Sequence, residues 1–428
     1  MAIDTIIIGA GFAGVTAARE LSMLNQKVVL LEARDRLGGR TWTSHLGDKQ
    51  IELGGAYVHH TQPFVWSEIQ RYGLDVTPIT TEHFRIIYFD GQEAKQMDGM
   101  MWAQEMMPIF QHYFEASFTA WPFPYNAKAN WDMLVDLDHQ SALERIDELD
   151  LTPMQRITLI SYLESCSHNK IENTSYVEMM RWFALSGHNL MALSESVGTY
   201  KLVQGTKSLI NAIASDVTAN IQLSTQVVKV KQTDTRVQVC TESGNTMTAD
   251  NVLIAVPMNV VTQIEFSPEL QPARAQAANE KHSGAGFKVM LKVMGDYAGI
   301  WCASEVKTTP LNSVLGQEFD GECTLMVGFG YSEAPINLND HQLMQRLMRQ
   351  YLPEITVLES TGHNWVDDPF SKGTWCSYQP GQLERFYDGL RQEQGRVYFA
   401  GSDLANGWRG FIDGAIESGI TSARRLAG

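Results

Sequence analysis

Residues 3–14 read Ile-Asp-Thr-Ile-Ile-Ile-Gly-Ala-Gly-Phe-Ala-Gly, and this stretch decides the fold. The β-branched run at 5–8 is typical of a strand that is buried on both faces. The glycine-rich turn after it opens a helical pattern, in which apolar residues recur at intervals of three on one face. A second apolar run follows at 27–32. The stretch therefore predicts a βαβ unit.

The turn between the strand and the helix has the G-x-G-x-x-G spacing of a dinucleotide site. Gly9 permits the tight turn, Gly11 lets backbone amides approach a pyrophosphate, and Gly14 lets the helix pack closely on the strand. The N-terminus of the helix offers free N–H groups and a positive dipole end to the phosphates. Glu32 ends the second strand, where its carboxylate can accept hydrogen bonds from a ribose. The pattern predicts nucleotide binding but does not distinguish NAD from FAD.

The length and charge of the chain limit its architecture and its partners. With 428 residues, two or three structural units are expected. The formal net charge is −16, and the acidic residues are spread along the chain. A net-acidic protein repels nucleic-acid phosphates and anionic membrane surfaces, so we expect neither as a partner.

The cysteines and the apolar stretches indicate the compartment. Five cysteines lie far apart and form no CxxC pair, which indicates reduced thiols rather than a disulfide framework or a zinc site. The histidines form no HExxH motif, so we expect no metal. The N-terminus lacks the features of a signal peptide, and the apolar stretches fall short of the roughly 20 residues that span a bilayer. The sequence predicts a cytoplasmic protein without a membrane segment.

The rest of the chain alternates between strand-rich and helix-rich segments. Between 97 and 200 the pattern is helical and rich in Trp, Met and Phe, with a loop around 121–124. The other predicted elements are a β-meander at 225–231, 236–241 and 246–256, a helix at 340–352, a strand at 396–400 and a helix at 411–426.

Residues 32–42, Glu-Ala-Arg-Asp-Arg-Leu-Gly-Gly-Arg-Thr-Trp, place a basic, glycine-bearing segment directly after the ribose-binding acid. Here the sequence resembles the flavin-containing amine oxidases, in which FAD lies along this segment. Residues 52–57, Glu-Leu-Gly-Gly-Ala-Tyr, resemble the glycine pair that the family places beside the flavin ring. The resemblance implies that the nucleotide is FAD.

The resemblance extends over essentially the whole chain. Val227 matches the valine that packs on the adenine, and residues 398–403 and 407–415 resemble the C-terminal flavin motif. In that motif Asp403 matches the acid near the ribityl–phosphate region, and the amides of 410–412 match those that meet the flavin. The cofactor-binding residues that the turn and the resemblance imply are Gly9, Gly11, Phe12, Ala13, Gly14, Glu32, Arg34, Gly39, Arg40, Gly54, Gly55, Ala56, Tyr57, Val227, Gly401, Ser402, Asp403, Gly410, Phe411 and Ile412.

The fold class that follows is α/β. A Rossmann-type FAD-binding domain is interleaved with a substrate domain that combines a mixed sheet with helices. We expect the FAD-binding domain to comprise 1–80, 200–285 and 390–428, and the substrate domain to comprise 81–199 and 286–389.

Three residues match the family's reactive region. Trp375 and Phe411 occupy the positions of the aromatic pair that orients the amine, where relatives often have tyrosines. Lys288 interrupts an apolar strand pattern and matches the lysine that holds a water against flavin N5. A cation there would stabilise negative charge on the reduced flavin. The resemblance therefore implies that Lys288, Trp375 and Phe411 are the catalytic residues.

Two departures from the family refine this expectation. Thr374 stands where monoamine oxidases with covalent flavin have a cysteine, so we expect FAD to be bound non-covalently. Residues 52–63 contain no arginine that would clamp a substrate carboxylate, although they contain His59 and His60, and Arg85 is a possible substitute. An amine without an α-carboxylate is therefore the better prediction.

Residues 54–59 and 295–300 resemble the soluble bacterial branch that contains 6-hydroxy-L-nicotine oxidases. The expected far wall of the pocket, at 160–190 and 301–318, looks unlike that branch, so its substrate is not carried over. The further pocket candidates are Ser165, Trp182, Trp301 and Tyr57, with core packing the commoner role for each of the three aromatic residues.

The predicted function is FAD-dependent amine oxidation. A hydride passes from the α-carbon of the amine to the flavin, the imine hydrolyses to a carbonyl product, and oxygen accepts the electrons to give hydrogen peroxide. The alternatives are an L-amino-acid oxidase or a desaturase-type flavoenzyme, an amine dehydrogenase with another electron acceptor, and a flavoprotein without turnover. The expected partners are a small-molecule amine and molecular oxygen, and a homodimer is the default assembly.

Overall fold

The computed structural model of the protein describes residues 2–79 and 84–428. Its strands are β1 (Ile3–Ile8), β2 (Val28–Leu31), β3 (Thr43–Leu46), β4 (Lys49–Glu52), β5 (Val76–Pro78), β6 (Arg85–Phe89), β7 (Ala94–Asp98), β8 (Tyr200–Leu202), β9 (Asn220–Gln222), β10 (Val227–Gln232), β11 (Val237–Thr241), β12 (Thr246–Ile254), β13 (Glu265–Ser267), β14 (Phe287–Met294), β15 (Ile300–Ala303), β16 (Ser313–Phe319), β17 (Cys323–Gly330), β18 (Thr356–Gly362) and β19 (Val397–Phe399). Its α-helices are α1 (Phe12–Met23), α2 (Pro63–Arg71), α3 (Gly99–Tyr113), α4 (Ser117–Ala120), α5 (Trp131–Asp138), α6 (Ala142–Asp147), α7 (Pro153–Ser167), α8 (Tyr176–Leu185), α9 (Leu190–Gly198), α10 (Thr206–Ser215), α11 (Pro272–Glu280), α12 (His341–Met348), α13 (Gln382–Phe386) and α14 (Ile412–Ala427).

The first sheet contains the predicted βαβ unit. Its strand order is β13-β10-β11-β12-β1-β2-β9, and β19 also pairs with β12. β1 runs parallel to β2 and to β12, while β10, β11 and β12 are antiparallel neighbours, which confirms the predicted meander. Ile7 packs into a cluster with α1 and α14, and Ile6 and Ile8 pack on the other face with the meander. Both faces of β1 are therefore covered, as its continuous apolar run predicts.

The second sheet has the strand order β18-β14-β17-β16-β15-β6-β7 and is mixed. β14 is antiparallel to both of its neighbours, and β15 is parallel to β6. Side chains alternate along β14, so Phe287, Val289 and Leu291 pack in one cluster with α12. Lys288 and Met290 point to the opposite face, and Met290 packs there beside the β3–β4 hairpin. One face of this sheet therefore packs against α12, and the other packs against the β3–β4 hairpin and against Trp102 of α3 and Tyr162 of α7.

A helical layer with its own aromatic core covers the second sheet. It comprises α3 to α9, as the helical pattern at 97–200 predicts. Its core contains Phe114 stacked on Phe183 at 4.9 Å between ring centroids, and Tyr113 packed edge-on against Tyr176 at 5.3 Å. Aromatic pairs of this kind add to the free energy of burial, which fixes the helices against one another.

Two predicted elements end at least two residues earlier than expected. β12 ends at Ile254 instead of 256, because the chain approaches Pro257, which has no N–H to donate. α12 ends at Met348 instead of 352. The N–H of Tyr351 bonds to the carbonyl of Met348 at 3.0 Å, so the last residues form a tighter turn before Pro353.

The two sheets are interleaved along the chain. Strands of the first sheet come from 3–31, 220–267 and 397–399, whereas those of the second come from 85–98 and 287–362. The division of the chain into domains at 200, 285 and 390 stays a prediction, and the boundary at 80–81 lies outside the described residues. Within 2–79 and 84–428, no helix is long and apolar enough to cross a membrane, no group of side chains forms a metal site, and all five cysteines are free.

Candidate active site

One cavity of about 290 Å³ runs from the glycine-rich turn after β1 to the helical layer. Loops from both sheets and residues from α7 and α8 form its wall. The predicted residues that line it are Gly9, Gly11, Phe12, Ala13, Glu32, Arg34, Gly39, Arg40, Gly54, Gly55, Ala56, Tyr57, Val227, Lys288, Trp375, Gly401, Ser402, Gly410, Phe411 and Ile412. The two remaining predicted residues, Gly14 and Asp403, lie directly behind the wall.

The glycine-rich turn has the geometry that an anion site needs. Gly9 has a φ of +104°, which a residue with a side chain rarely adopts. A Cβ on Gly14 would lie 1.9 Å from the carbonyl oxygen of Gly9, so only glycine lets α1 approach β1 this closely. Gly11 is the N-cap of α1, and no side chain caps the helix. The first N–H groups of α1 are therefore free to bind a pyrophosphate.

Glu32 lies beside this turn and is only 4% exposed. Its carboxylate accepts hydrogen bonds from the N–H of Ala10 at 2.6 Å and from the N–H of Arg34 at 2.8 Å. These bonds hold the carboxylate at the cavity wall, at the position where the sequence predicts a ribose.

Arg40 links separate segments of the cavity wall, and it forms an ion pair with Asp403. Its guanidinium donates to the Asp403 carboxylate at 2.6 Å, to Ser402 Oγ at 2.9 Å and to the carbonyl of Thr374 at 2.8 Å. Burial alone would raise the pKa of Asp403, but the nearby Arg40 and His282 outweigh it and hold that pKa below its ordinary value. Asp403 is thus a positioning residue, because it acts on the cavity through Arg40.

A segment at 363–371 closes the nucleotide end of the cavity, and sequence reasoning did not assign it to the cofactor. Arg34 donates to the Asp368 carboxylate at 2.6 Å and to Ser371 Oγ at 2.9 Å. Trp365 donates from Nε1 to the carbonyl of Leu53 at 3.0 Å. Trp365, Phe370 and Ser371 line the cavity, although the sequence placed them in the substrate domain.

Lys288 projects from β14 into the cavity and is 5% exposed. Its ammonium donates to the carbonyl of Gly54 at 2.9 Å and lies 6.0 Å from the centre of the Tyr57 ring. Burial lowers the pKa of Lys288 to about 7, with a contribution from the neighbouring Lys201 that Glu52 partly opposes. Of the two lysines on β14, Lys288 therefore lies inside the site and not at an edge of the sheet, whereas Lys292 is only half-buried.

Trp375 and Phe411 both lie in the cavity wall at its inner end, away from the glycine-rich turn. Trp375 is anchored by a bond from Nε1 to the carbonyl of Cys166 at 2.7 Å. His168 stacks flat on it, with 4.1 Å between ring centroids and 4° between planes. Phe411 packs edge-on against Trp182 at 4.8 Å and against Trp408 at 5.0 Å. The aromatic wall is therefore fixed by contacts behind it.

A buried ion triad supports the loop that carries Phe411. Glu178 on α8 accepts hydrogen bonds from Arg181 at 3.0 Å and from Arg409 at 2.7 Å, and all three side chains are at most 1% exposed. Arg181 also donates to the carbonyl of Gly407. Residues 407–411 are thus held to the helical layer.

The amides at the start of α14 differ from the expectation. The N–H of Gly410 bonds to the carbonyl of Ser402 at 3.1 Å, and the N–H of Phe411 bonds to that of Trp408 at 3.1 Å. Of the three predicted donors, only Ile412 keeps an N–H without such a bond. The N–H groups of Gly410 and Phe411 therefore stabilise the conformation of this loop.

The other candidate pocket residues lie either in the cavity wall or away from it. Ser165 and Trp182 line the cavity together with Thr374, whose buried hydroxyl has no hydrogen-bond partner in the described residues. Trp301 does not line the cavity, because it lies on β15 of the second sheet, packs edge-on against Trp102 of α3 and donates to Ser313 Oγ at 2.9 Å. His59, Arg85 and Cys376 are also absent from the described wall.

His168 and Cys166 are wall residues that sequence reasoning missed. They come from the last turn of α7, and the local pattern of 160–170 is that of a buried helix. The one usable signal is a histidine next to an asparagine at the end of an apolar helix, which is far too common to mark a site.

The family model described as flavin containing amine oxidoreductase matches residues 12–427. The chain belongs to this family. FAD is therefore its cofactor, and oxidation of amines is its activity. The wall residues fit FAD, since the free N-terminus of α1, the carboxylate of Glu32 and the Gly54–Gly55 pair lie along one continuous cavity. The hydroxyl of Thr374 cannot form a thioether, so this family member holds FAD without a bond at that position.

Curated relatives cover nearly the whole chain. A pseudooxynicotine dehydrogenase from a Pseudomonas species is 40% identical over 97% of this chain and 84% of its own length. A nicotine dehydrogenase from Pseudomonas putida is 32% identical over 99% of this chain and 88% of its own length. An (S)-6-hydroxynicotine oxidase from Paenarthrobacter nicotinovorans is 29% identical over 97% of both chains. The predicted likeness to the bacterial branch is thereby confirmed.

Solved structures of amine oxidases share the fold. Putrescine oxidase with bound putrescine has a TM-score of 0.84 at 21% identity and covers 100% of this chain and 99% of its own. Cyclohexylamine oxidase from Brevibacterium oxydans has a TM-score of 0.81 at 20% identity with the same coverage. At such identities the likeness concerns the architecture, and it agrees with the two sheets and helical layer described above.

Proposed function

We propose that this enzyme oxidises an alkylamine that carries a flat aromatic ring and no carboxylate, such as a pyridyl alkylamine. The wall around Trp375 and Phe411 carries the proposal, because it is aromatic on several sides and removes water from the amine, which favours the uncharged form. Relatives named for nicotine and pseudooxynicotine, both of which contain a pyridine ring, support the same class.

The arginines of the wall argue against an amino-acid substrate. In the described residues the cavity is lined by two arginines, Arg34 and Arg40. Each already donates to a carboxylate of the protein, Asp368 or Asp403, at 2.6 Å. A substrate carboxylate would have to break one of these pairs, which is costly for buried ions. The L-amino-acid oxidase is therefore the weaker hypothesis.

The roles proposed for the wall residues follow from their positions. Bound FAD supplies the redox chemistry by accepting a hydride equivalent from the α-carbon of the amine. Trp375 and Phe411 hold the amine and exclude water from its nitrogen. Lys288 places a cation, or a neutral amine above its pKa, at the wall near Tyr57. The glycine-rich turn, Glu32 and the residues around them bind the nucleotide part.

Molecular oxygen is the proposed electron acceptor, with hydrogen peroxide as the product. A dehydrogenase with another acceptor is the second candidate, because the two relatives with the highest identities reported above are named dehydrogenases. The peroxide yield per flavin turnover separates the two, since an oxidase forms about one peroxide per amine oxidised in air. A slow, substoichiometric yield that an added dye accelerates would favour the second candidate.

The decisive experiment is an anaerobic titration followed by visible spectroscopy. The purified yellow protein is mixed with pyridyl alkylamines, simple alkylamines and amino acids in turn. Bleaching by the pyridyl amines at the lowest concentrations is the expected result. Bleaching by amino acids alone would overturn the proposal, as would bleaching by no amine at all.

We further propose a cytoplasmic location and a homodimer. Five cysteines that are free in the structure support a reducing compartment. Size-exclusion chromatography with light scattering tests the dimer, for which a mass near twice 47.9 kDa is expected.

A further inference from the structure

A second lysine, Lys201, lies next to the part of the cavity wall that contains Lys288. It belongs to β8, is half-buried, and is not one of the described residues that line the cavity. Its backbone pairs with that of Tyr57 in an isolated antiparallel bridge. Because Tyr57 lines the cavity, Lys201 is in contact with a wall residue without being part of the wall.

The ammonium groups of Lys201 and Lys288 lie near the same aromatic ring. Nζ of Lys201 is 5.6 Å from the centre of the Tyr57 ring, and Nζ of Lys288 is 6.0 Å from it. Lys201 donates to Oε1 of Gln317 at 2.5 Å, and Nε2 of Gln317 donates to the Tyr57 hydroxyl at 2.9 Å. Gln317 is buried, so these hydrogen bonds hold the Lys201 ammonium beside Tyr57. Burial raises the pKa of Tyr57 to about 12, so this hydroxyl is uncharged at neutral pH.

The two carboxylates whose charge reaches Lys201 are bound to other groups. Glu52 on β4 accepts hydrogen bonds from the N–H of Thr206 at 2.7 Å and from its hydroxyl at 2.8 Å. Glu52 also accepts one from Thr43 Oγ1 at 2.7 Å. Glu318 on β16 lies 3.6 Å from Nζ of Lys49. Both carboxylates therefore compensate the charge of the two lysines beside Tyr57 only from a distance.

The ionisation of the two lysines reflects this arrangement. Burial lowers the pKa of Lys201 to about 8, while Glu52 and Glu318 act in the opposite direction, so this side chain is mainly an ammonium at pH 7. Burial and the charge of Lys201 lower the pKa of Lys288 to about 7, against the influence of Glu52. His168, which also lies near Lys288, is uncharged at neutral pH because burial lowers its pKa to about 3. Lys201 is therefore the neighbouring cation that faces Lys288.

We propose that Lys201 is a positioning residue whose ammonium, held beside the Tyr57 ring by Gln317, opposes a positive charge on Lys288 and so lets Lys288 exchange a proton with solvent near neutral pH. The inference rests on the proposed function, in which Lys288 contributes to the reaction. A like charge nearby disfavours the charged form of a lysine, whereas an unperturbed lysine stays protonated up to about pH 10.4. Lys201 thus sets the pH range in which the wall residue Lys288 changes its charge.

Four variants of the FAD-loaded enzyme separate the charge of Lys201 from its packing. Lys201→Met removes the ammonium and keeps an unbranched side chain, whereas Lys201→Arg keeps a permanent cation. Gln317→Glu leaves Lys201 in place and puts a carboxylate beside it. Lys292→Met is the matched control, because Lys292 lies on β14 like Lys288, is half-buried and is 3.8 Å from Asp48. FAD content and thermal unfolding establish that each variant is folded and loaded.

The pH dependence of two signals is measured, and the first needs no substrate. It is the visible absorption of bound, oxidised FAD, and the second is the rate of anaerobic flavin reduction by the amine. We expect a transition near pH 7 in wild type that is missing in Lys288→Met. Lys201→Met and Gln317→Glu should each raise the midpoint of this transition by about one pH unit. Lys201→Arg and Lys292→Met should leave it in place.

Three results would overturn the inference. The first is a wild-type enzyme in which neither signal has a transition that Lys288→Met removes. The second is a midpoint that stays in place in Lys201→Met, or in Gln317→Glu where Lys201→Met does not fold. The third is an equal displacement in Lys201→Met and Lys201→Arg, which would assign the effect to packing. If no amine reduces the flavin but the absorption shows the expected shifts, the proposed function fails, and the effect of Lys201 on the charge of Lys288 is confirmed.

Discussion

The buried triad of Arg181, Glu178 and Arg409 makes the sharpest stability prediction. Glu178→Gln keeps the shape of the side chain but removes the single negative charge between two buried guanidiniums. Breaking a buried ion pair from one side costs about 3–5 kcal/mol, because an uncompensated charge is left inside. An amide still accepts one hydrogen bond, so the lower end of this range is expected. At about 2.1 cal/mol/K of unfolding entropy per residue, a loss of about 3 kcal/mol lowers the apparent melting temperature of a chain of 428 residues by about 3–4 °C.

The assay follows thermal unfolding and the rise of free-flavin fluorescence in parallel. Because Arg181 holds the carbonyl of Gly407, flavin release should begin at a lower temperature in the variant. Glu280→Gln is the matched control, since Glu280 pairs with Arg385 at 2.8 Å while both side chains are at least 33% exposed. That exposed pair contributes about 0–1 kcal/mol. The reasoning is refuted if Glu178→Gln lowers the melting temperature by no more than the control does.

The loss of stability in Glu178→Gln depends on pH in a direction that the structure predicts. Burial opposes ionisation of Glu178, but Arg181 and Arg409 outweigh it and hold the pKa of Glu178 below its ordinary value. The stabilisation is then fully present above about pH 4.3, the unfolded carboxyl value, and is lost as the pH falls through the lower folded pKa. The difference in the free energy of unfolding between wild type and Glu178→Gln should therefore be largest at pH 7 and should disappear only at acidic pH.

The remaining predictions concern the cofactor and its neighbours. Lys288→Met should keep FAD but slow flavin reduction or reoxidation by at least about tenfold in stopped flow. It should also remove any pH dependence of these rates near pH 7, because burial lowers the pKa of Lys288 to about 7. Rates and a pH profile equal to those of wild type would exclude a role of Lys288 in the reaction. Asp403→Asn should weaken FAD retention on dialysis, since it removes the charge that holds Arg40, and equal retention would contradict this. Acid precipitation should release FAD completely, as Thr374 implies, and flavin that stays with the pellet would contradict non-covalent binding.

Local sequence accounts for the nucleotide end of the site. The run at 3–14 specifies strand, turn and helix through short-range rules, so Gly9, Gly11 and Glu32 lie where the pattern predicts them. The resemblance supplied what periodicity cannot, namely FAD instead of NAD and the position of Lys288. Both kinds of inference succeed where one short segment contains all the residues that define the feature.

Long-range packing accounts for what was missed. His168 lies in the wall only because the end of α7 packs against the start of β14 and against Trp375, more than 100 residues away. Trp301 is as aromatic as Trp182, yet Trp301 packs against Trp102 of α3 and Trp182 lines the cavity. No local property of either segment distinguishes the two outcomes, since helix and strand periodicities give the buried face but not its partner.

The cofactor cavity is itself a product of these long-range contacts, which links cofactor binding to the global fold. Arg34 reaches Asp368 and Arg40 reaches Asp403, across 334 and 363 positions of sequence. The loop after β2 therefore has its binding shape only when the second sheet and the C-terminal segment have assembled around it. A ligand that binds only the folded state stabilises it by an amount that rises with the logarithm of the ligand concentration relative to its dissociation constant. FAD should accordingly bind as one of the last steps of folding, and substitutions far from the cavity that loosen either ion pair should lower FAD affinity and stability together.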